Sequence, residues 1–178
     1  MRRQTVSWIL FLVALAGALT STAAAQTPDP EISSVYDATR NRTTVRLRTV
    51  QFAGPKDKYD RLSFSVFYSY PGRVKRVPQV LSFELLTVVK ARRLDSDLYV
   101  VFLVDGEEVF LSSDRSAVPN PVPGKRWIGE RLVFRLPYDT FLRFARARSL
   151  AVRLDGVVFD FSQVNIHSLR ELGRHIKS

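Results

Sequence analysis

The chain has 178 residues, 27 of them Lys or Arg against 17 Asp or Glu, for a net charge of +10, and it contains no cysteine. Without cysteine there is no disulfide framework, no thiol chemistry and no lipidated cysteine of the kind that anchors bacterial lipoproteins. With 46% hydrophobic and 25% charged residues the composition is that of a folded globular chain, so no disorder is expected outside its ends.

The N-terminal residues read as an export signal. Met1-Arg2-Arg3 gives a positive start, Trp8 to Leu19 an apolar run, and Ala23-Ala24-Ala25 the small residues a signal peptidase requires. The run is shorter than the roughly 20 residues that cross a bilayer, and polar Thr20-Ser21-Thr22 follows it. Cleavage after Ala25 is expected in place of anchoring, so the expected location is periplasmic or extracellular, with no transmembrane anchor afterwards. Losing Arg2 and Arg3 leaves 25 basic against 17 acidic residues, a net charge of +8. Such an excess favours anionic partners, although the arginine bias of a GC-rich genome would produce it too.

Residues 26–31, with Pro28 and Pro30, read as an extended leader, and 32–178 as one domain. Thr43 to Phe52 alternates Val45 and Leu47 against Arg46 and Arg48, a strand with a basic face turned to solvent. Leu62 to Tyr70 repeats the period of two, with Leu62, Phe64, Val66, Tyr68 and Tyr70 on one side. Pro71-Gly72 breaks the pattern and opens a loop carrying Arg73, Lys75 and Arg76, after which Leu81, Phe83, Leu85 and Val89 mark the next strand. Leu98 to Val104 is apolar on both sides, and Asp105-Gly106 makes it the first arm of a hairpin whose return strand holds Val109, Phe110 and Leu111. Ser112 to Lys125, with Pro119, Pro121, Pro123 and Gly124, reads as a long exposed loop.

Trp127 to Leu136 resumes a strand that Pro137 ends. Asp139 is expected to cap a short helix with Tyr138, Phe141, Leu142 and Ala145 inward and Arg143 and Arg146 outward. A second hairpin follows, Ser149 to Leu154, Asp155-Gly156 and Val157 to Phe161. Ser162 then caps a helix reaching Lys177, with Ile166, Leu169, Leu172 and Ile176 inward, while Arg174 and Lys177 suit its negative end. Short strands at close spacing with two late helices predict an all-β protein, an antiparallel β-sandwich of jelly-roll or immunoglobulin-like topology.

No catalytic constellation emerges. His167 and His175 are eight residues apart on one helix, about 12 Å along its axis and about 80° around it, which prevents joint metal ligation. Ser112, Ser113 and Ser116 lie in no nucleophile-elbow pattern. A glycosidase would have to pair acids such as Asp95 or Asp97 with Glu107, Glu108 and Asp160 being the other acids near strand ends. Asp95-Ser96-Asp97 could bind calcium but lacks the glycine and distal glutamate of an EF-hand. Asn41-Arg42-Thr43 fits a glycosylation sequon on a turn.

The basic residues fall in local groups: Arg40, Arg42, Arg46 and Arg48, then Arg73, Lys75 and Arg76, then Lys90, Arg92 and Arg93. If the loops bearing the last two groups share one end of the sandwich they form an anion-binding rim, to which Tyr68 and Tyr70 would add stacking surface. The sequence therefore predicts an exported, non-catalytic binding module with no metal or cofactor. Its expected partner is an anionic envelope polymer or an envelope protein. Export argues against nucleic acid. The alternatives are a carbohydrate-active hydrolase using paired carboxylates and a structural subunit docking on a larger envelope complex.

Overall fold

The computed structural model describes residues 31–52, 61–89, 99–112, 120–121, 128–154 and 156–178. The signal segment, the leader up to residue 30 and the group Lys90, Arg92 and Arg93 lie outside the described residues, as do Asp95 and Asp97. The described strands are β1 (Ile32–Asp37), β2 (Arg42–Phe52), β3 (Arg61–Pro71), β4 (Val80–Val89), β5 (Tyr99–Val104), β6 (Glu107–Ser112), β7 (Asn120–Pro121) and β8 (Ile128–Pro137), followed by helix α1 (Tyr138–Arg146), β9 (Leu150–Leu154), β10 (Val157–Asp160) and helix α2 (Gln163–Lys177). They pair antiparallel into two sheets, β1-β2-β3-β4-β8-β7 and β10-β9-β5-β6, and make a β-sandwich with two helices late in the chain. Within that architecture β1 to β4 run as a meander, and the chain returns to the larger sheet at β8 after β5 and β6 have joined the smaller one.

The alternation read from the sequence is the alternation of burial. Leu62, Phe64, Val66, Tyr68 and Tyr70 of β3 line the inner face, as do Val45 and Leu47 of β2, Leu81, Phe83 and Leu85 of β4, and Leu132, Phe134 and Leu136 of β8. The hairpin turns follow the same logic. Asp105 and Gly106 have φ of 50° and 88°, the pair of positive values a type I′ turn requires, and Gly156 has 73° at the second hairpin. The stretch expected to be one long loop after β6 contains the short strand β7, which pairs Asn120 with Gly129 and Pro121 with Ile128.

Strands of 10 or 11 residues in the larger sheet span about 35 Å, while the 4 to 6 residues of the smaller sheet's strands span about 20 Å or less. The helices pack on the inner face of the larger sheet, α1 against β4 and β8 and α2 against β2, and against each other. Together these surfaces enclose one aromatic core. Phe83 of β4 stacks on Phe64 (5.4 Å between centroids, 9° between planes) and meets Phe102 of β5 edge-on at 5.3 Å, with Phe144 of α1 at 6.5 Å.

Both helix starts were expected to use a polar cap. Ser162 does so, its side chain accepting the Asn165 N–H at 3.2 Å. At α1 the cap position is Pro137 and no side chain bonds there, so Asp139 is not the cap; it lies two residues further in, in the first turn, where its charge still meets the positive end of the helix. The α1 stripe is wider than expected, because Phe144 is buried along with Phe141 and Ala145.

Candidate functional site

One row of Cα partners crosses the larger sheet: Arg46 of β2, Phe67 of β3, Ser82 of β4 and Arg135 of β8. Partners in an antiparallel row share a face, and this row lies on the outer face, opposite the core. Three inter-strand spacings put Arg46 and Arg135 about 14 Å apart at the backbone. Because β2 and β8 run in opposite directions, Arg42 extends the arginine set toward one end of the face and Arg131 toward the other. Between them is an open groove of about 510 Å³ lined by Arg42, Arg131 and Arg135, the hydroxyls of Ser69 and Ser82, and a floor of Phe67, Val80 and Val133.

Arg46 was expected to point to solvent. It is half-buried instead, its guanidinium 4.4 Å over the Phe67 ring and bonded to Ser65 Oγ at 3.0 Å. Glu84 of β4 lies beside the groove: its Oε2 is 3.3 Å from Arg46 Nη1 and its Oε1 is 3.8 Å from Arg131 Nε. Asp37, at the sheet edge beside Arg42, is drawn into the β1–β2 turn, where its Oδ1 accepts the Thr39 and Arg40 N–H groups. Guanidinium forks, hydroxyls and an apolar floor suit the capture of an anion. Among the described residues the groove lining contains two serines and no imidazole or carboxylate, the nearest carboxylate being that of Glu84, paired with Arg46 and Arg131.

The residues singled out from the sequence fall elsewhere. Tyr68 and Tyr70 do not form a stacking surface: both rings are in the core, at 2% and 8% exposure, and burial together with the neighbouring Tyr70 and Tyr138 pushes the Tyr68 phenol up to about 12. Arg73 and Arg76 are exposed on the loop after β3, with the Arg73 guanidinium 4.2 Å over the Tyr36 ring. Lys75 is occupied, because its Nζ donates to the His175 carbonyl and, at 3.3 Å, to Ser178 Oγ at the end of α2. The sequon residue Asn41 is in the β1–β2 turn at φ 45°, its Oδ1 accepting from Tyr36 Oη at 2.9 Å.

A second cleft, about 440 Å³, is lined by Asp105, Glu107 and Asp139 with Arg143 and Arg146. Two of its three acids, Asp105 and Glu107, are already engaged. Asp105 Oδ1 accepts the backbone N–H groups of Arg148 and Ser149, each at 2.8 Å. The Ser149 bond above all holds the Asp105 carboxyl below its usual value, the opposite of what a general acid needs. Glu107 is ion-paired to Arg143 at 2.8 Å and Glu108 to Arg153 at 2.9 Å. Among the described residues no group of three or more His, Asp or Glu is placed to hold a metal, and His167 lies 3.7 Å from Glu171 on its own helix.

Arg131 and Arg135 are functional candidates that the basic-cluster reading missed. Their signal was the alternation within Arg131-Leu132-Val133-Phe134-Arg135-Leu136, which puts both arginines opposite the buried residues. Compared with protein-family models, curated proteins and solved structures, the chain matches none.

Proposed function

We propose that the protein is a non-catalytic binding module that acts after export and recognises an anionic polymer of the cell envelope on the outer face of its six-stranded sheet. One observation carries this reading: Arg42, Arg131 and Arg135 line an open groove on this face together with the hydroxyls of Ser69 and Ser82, and Arg46 stands beside it in the register row of Arg135. An open groove admits a chain passing across it, while an enclosed pocket would select a small molecule. The loop residues Arg73 and Arg76 add long-range attraction, and Lys75 holds the end of α2. Export rests on the sequence of residues 1–25.

The test is cosedimentation of the purified protein with isolated envelope material, and with alginate as a defined polymer, at low and high salt. The triple variant R42Q/R131Q/R135Q is expected to lose at least about tenfold in affinity, and the loop variant R73Q/R76Q much less, because the loop pair does not line the groove and acts only at long range, where salt screens it beyond about 10 Å at 0.1 M. Equal binding by wild type and triple variant, or binding that persists in high salt, would remove the arginine face as the recognition surface.

A further inference from the structure

Glu84 has the geometry of a ligand in its own protein's site. It stands on β4, between the strands that carry the arginines, and divides its two oxygens between Arg46 of β2 and Arg131 of β8, at 3.3 and 3.8 Å. Its side chain is only 15% exposed, whereas those of Arg46 and Arg131 are 42% and 53% exposed, so the carboxylate lies low and the guanidinium groups stand above it. Each guanidinium has five N–H donors. Glu84 accepts one of those of Arg46 and meets Arg131 as an ion pair only, so most donors of both stay open to a ligand, with Arg46 held in place by Ser65 and the Phe67 ring.

From this arrangement we infer that Glu84 is an internal stand-in for the ligand's acidic group, and that the ligand is a polymer of carboxylates, an acidic polysaccharide, whose carboxylate competes with Glu84 for Arg46 and Arg131. The inference rests on the arginine face being the recognition surface. An incoming carboxylate that reaches these two arginines meets the charge of Glu84 beside it, and that repulsion weakens binding. The competition keeps the association reversible, and it restrains Arg46 and Arg131 from holding every anion that passes. Glu84 thus sets the affinity of the face without contacting the ligand favourably.

The experiment compares wild type with Glu84→Gln, which keeps size and hydrogen-bonding capacity and removes the charge. Binding to alginate is measured by affinity electrophoresis at several salt concentrations, with R42Q/R131Q/R135Q as control and far-UV circular dichroism to verify folding. The variant is expected to bind about three- to tenfold more tightly at low salt, the effect of removing one neighbouring charge at an effective dielectric between those of water and of a protein surface. The gain should narrow as salt rises. Unchanged affinity overturns the inference, and so does weaker affinity, which would make Glu84 a positioning residue for the two arginines. Wild type is also expected to prefer alginate to dextran sulfate of matched charge density; the reverse preference overturns the carboxylate assignment. If wild type fails to bind alginate, or the triple variant binds as wild type does, the arginine-face reading itself fails. Arginine-dependent binding without a gain in Glu84→Gln removes the stand-in role alone.

Discussion

Phe83 is where the two sheets and a helix meet, and its surroundings show how a single residue can carry the fold. Its ring touches Phe64 within its own sheet, Phe102 in the other sheet, Phe144 on α1 and Phe161 after β10, at centroid distances of 5.4, 5.3, 6.5 and 6.4 Å. Neighbours drawn from three elements and the segment after β10 cannot all collapse into the same void, so Phe83→Ala should cost about 3 to 5 kcal/mol in chemical denaturation. A loss under about 1 kcal/mol would show that the core repacks around the gap. Asp105 acts by charge and not by bulk. Its folded carboxyl titrates below the usual 3.8, so the stabilisation it gives is complete above that value and is lost as pH falls through the folded value. Asp105→Asn keeps a residue that tolerates positive φ and removes the charge. It should lower the melting temperature at pH 7, with the two melting temperatures converging on acidification below about pH 4; a difference independent of pH would assign the effect to the turn.

Elements were legible where burial follows a local period, and the site was not. Strand β3 and helix α2 could be read residue by residue because each turns one side to the same core. The arginine face depends on β8 lying next to β4 and two strands from β3, a pairing between segments far apart in the chain that no local pattern encodes. Clustering of basic residues in sequence pointed instead to the loop after β3, and Tyr68 and Tyr70 were drawn into that reading although the same alternation put them inside. Lys75 shows what that loop does for an element. The last carbonyls of a helix lack partners and carry its negative end, and Lys75 satisfies one of them at His175. Lys75→Met should fray the final turn at a cost of about 0.3 to 1 kcal/mol. The same change should raise the titration point of His175, which burial first and Lys75 second hold below its usual value. The rise should stop short of 6.5, since the burial persists. An NMR titration of the imidazole reads this directly, and an unmoved His175 would place the lysine charge elsewhere.

At the scale of the whole molecule, the unequal sheets explain why this sandwich ends in a helix. The smaller sheet is too short to cover the inner face of the larger one, and α2 supplies much of the missing cover. Ile166, Leu169 and Leu172 of α2 are wholly buried and Ile176 nearly so. Arg170 also reaches across to accept no bond but to donate two, from Nε to the Ala145 carbonyl at 3.0 Å and from Nη2 to the Ala147 carbonyl at 2.9 Å, closing the end of α1. Four such apolar side chains contribute on the order of 6 to 12 kcal/mol at about 1.5 to 3 each. That is comparable with the entire stability of an ordinary domain, about 5 to 15 kcal/mol. A chain ending at Phe161 keeps every strand of both sheets and should nevertheless fail to fold cooperatively. It would expose Phe141 and Leu142 along with the part of β2 that α2 covers, and it should show no sharp thermal transition and collapsed amide dispersion in NMR. A cooperative transition within a few degrees of the full chain would mean that the two sheets hold the core without the helix. Failure to fold would make α2 a condition for the larger sheet, and so for the register that places Arg46 and Arg135 in one row.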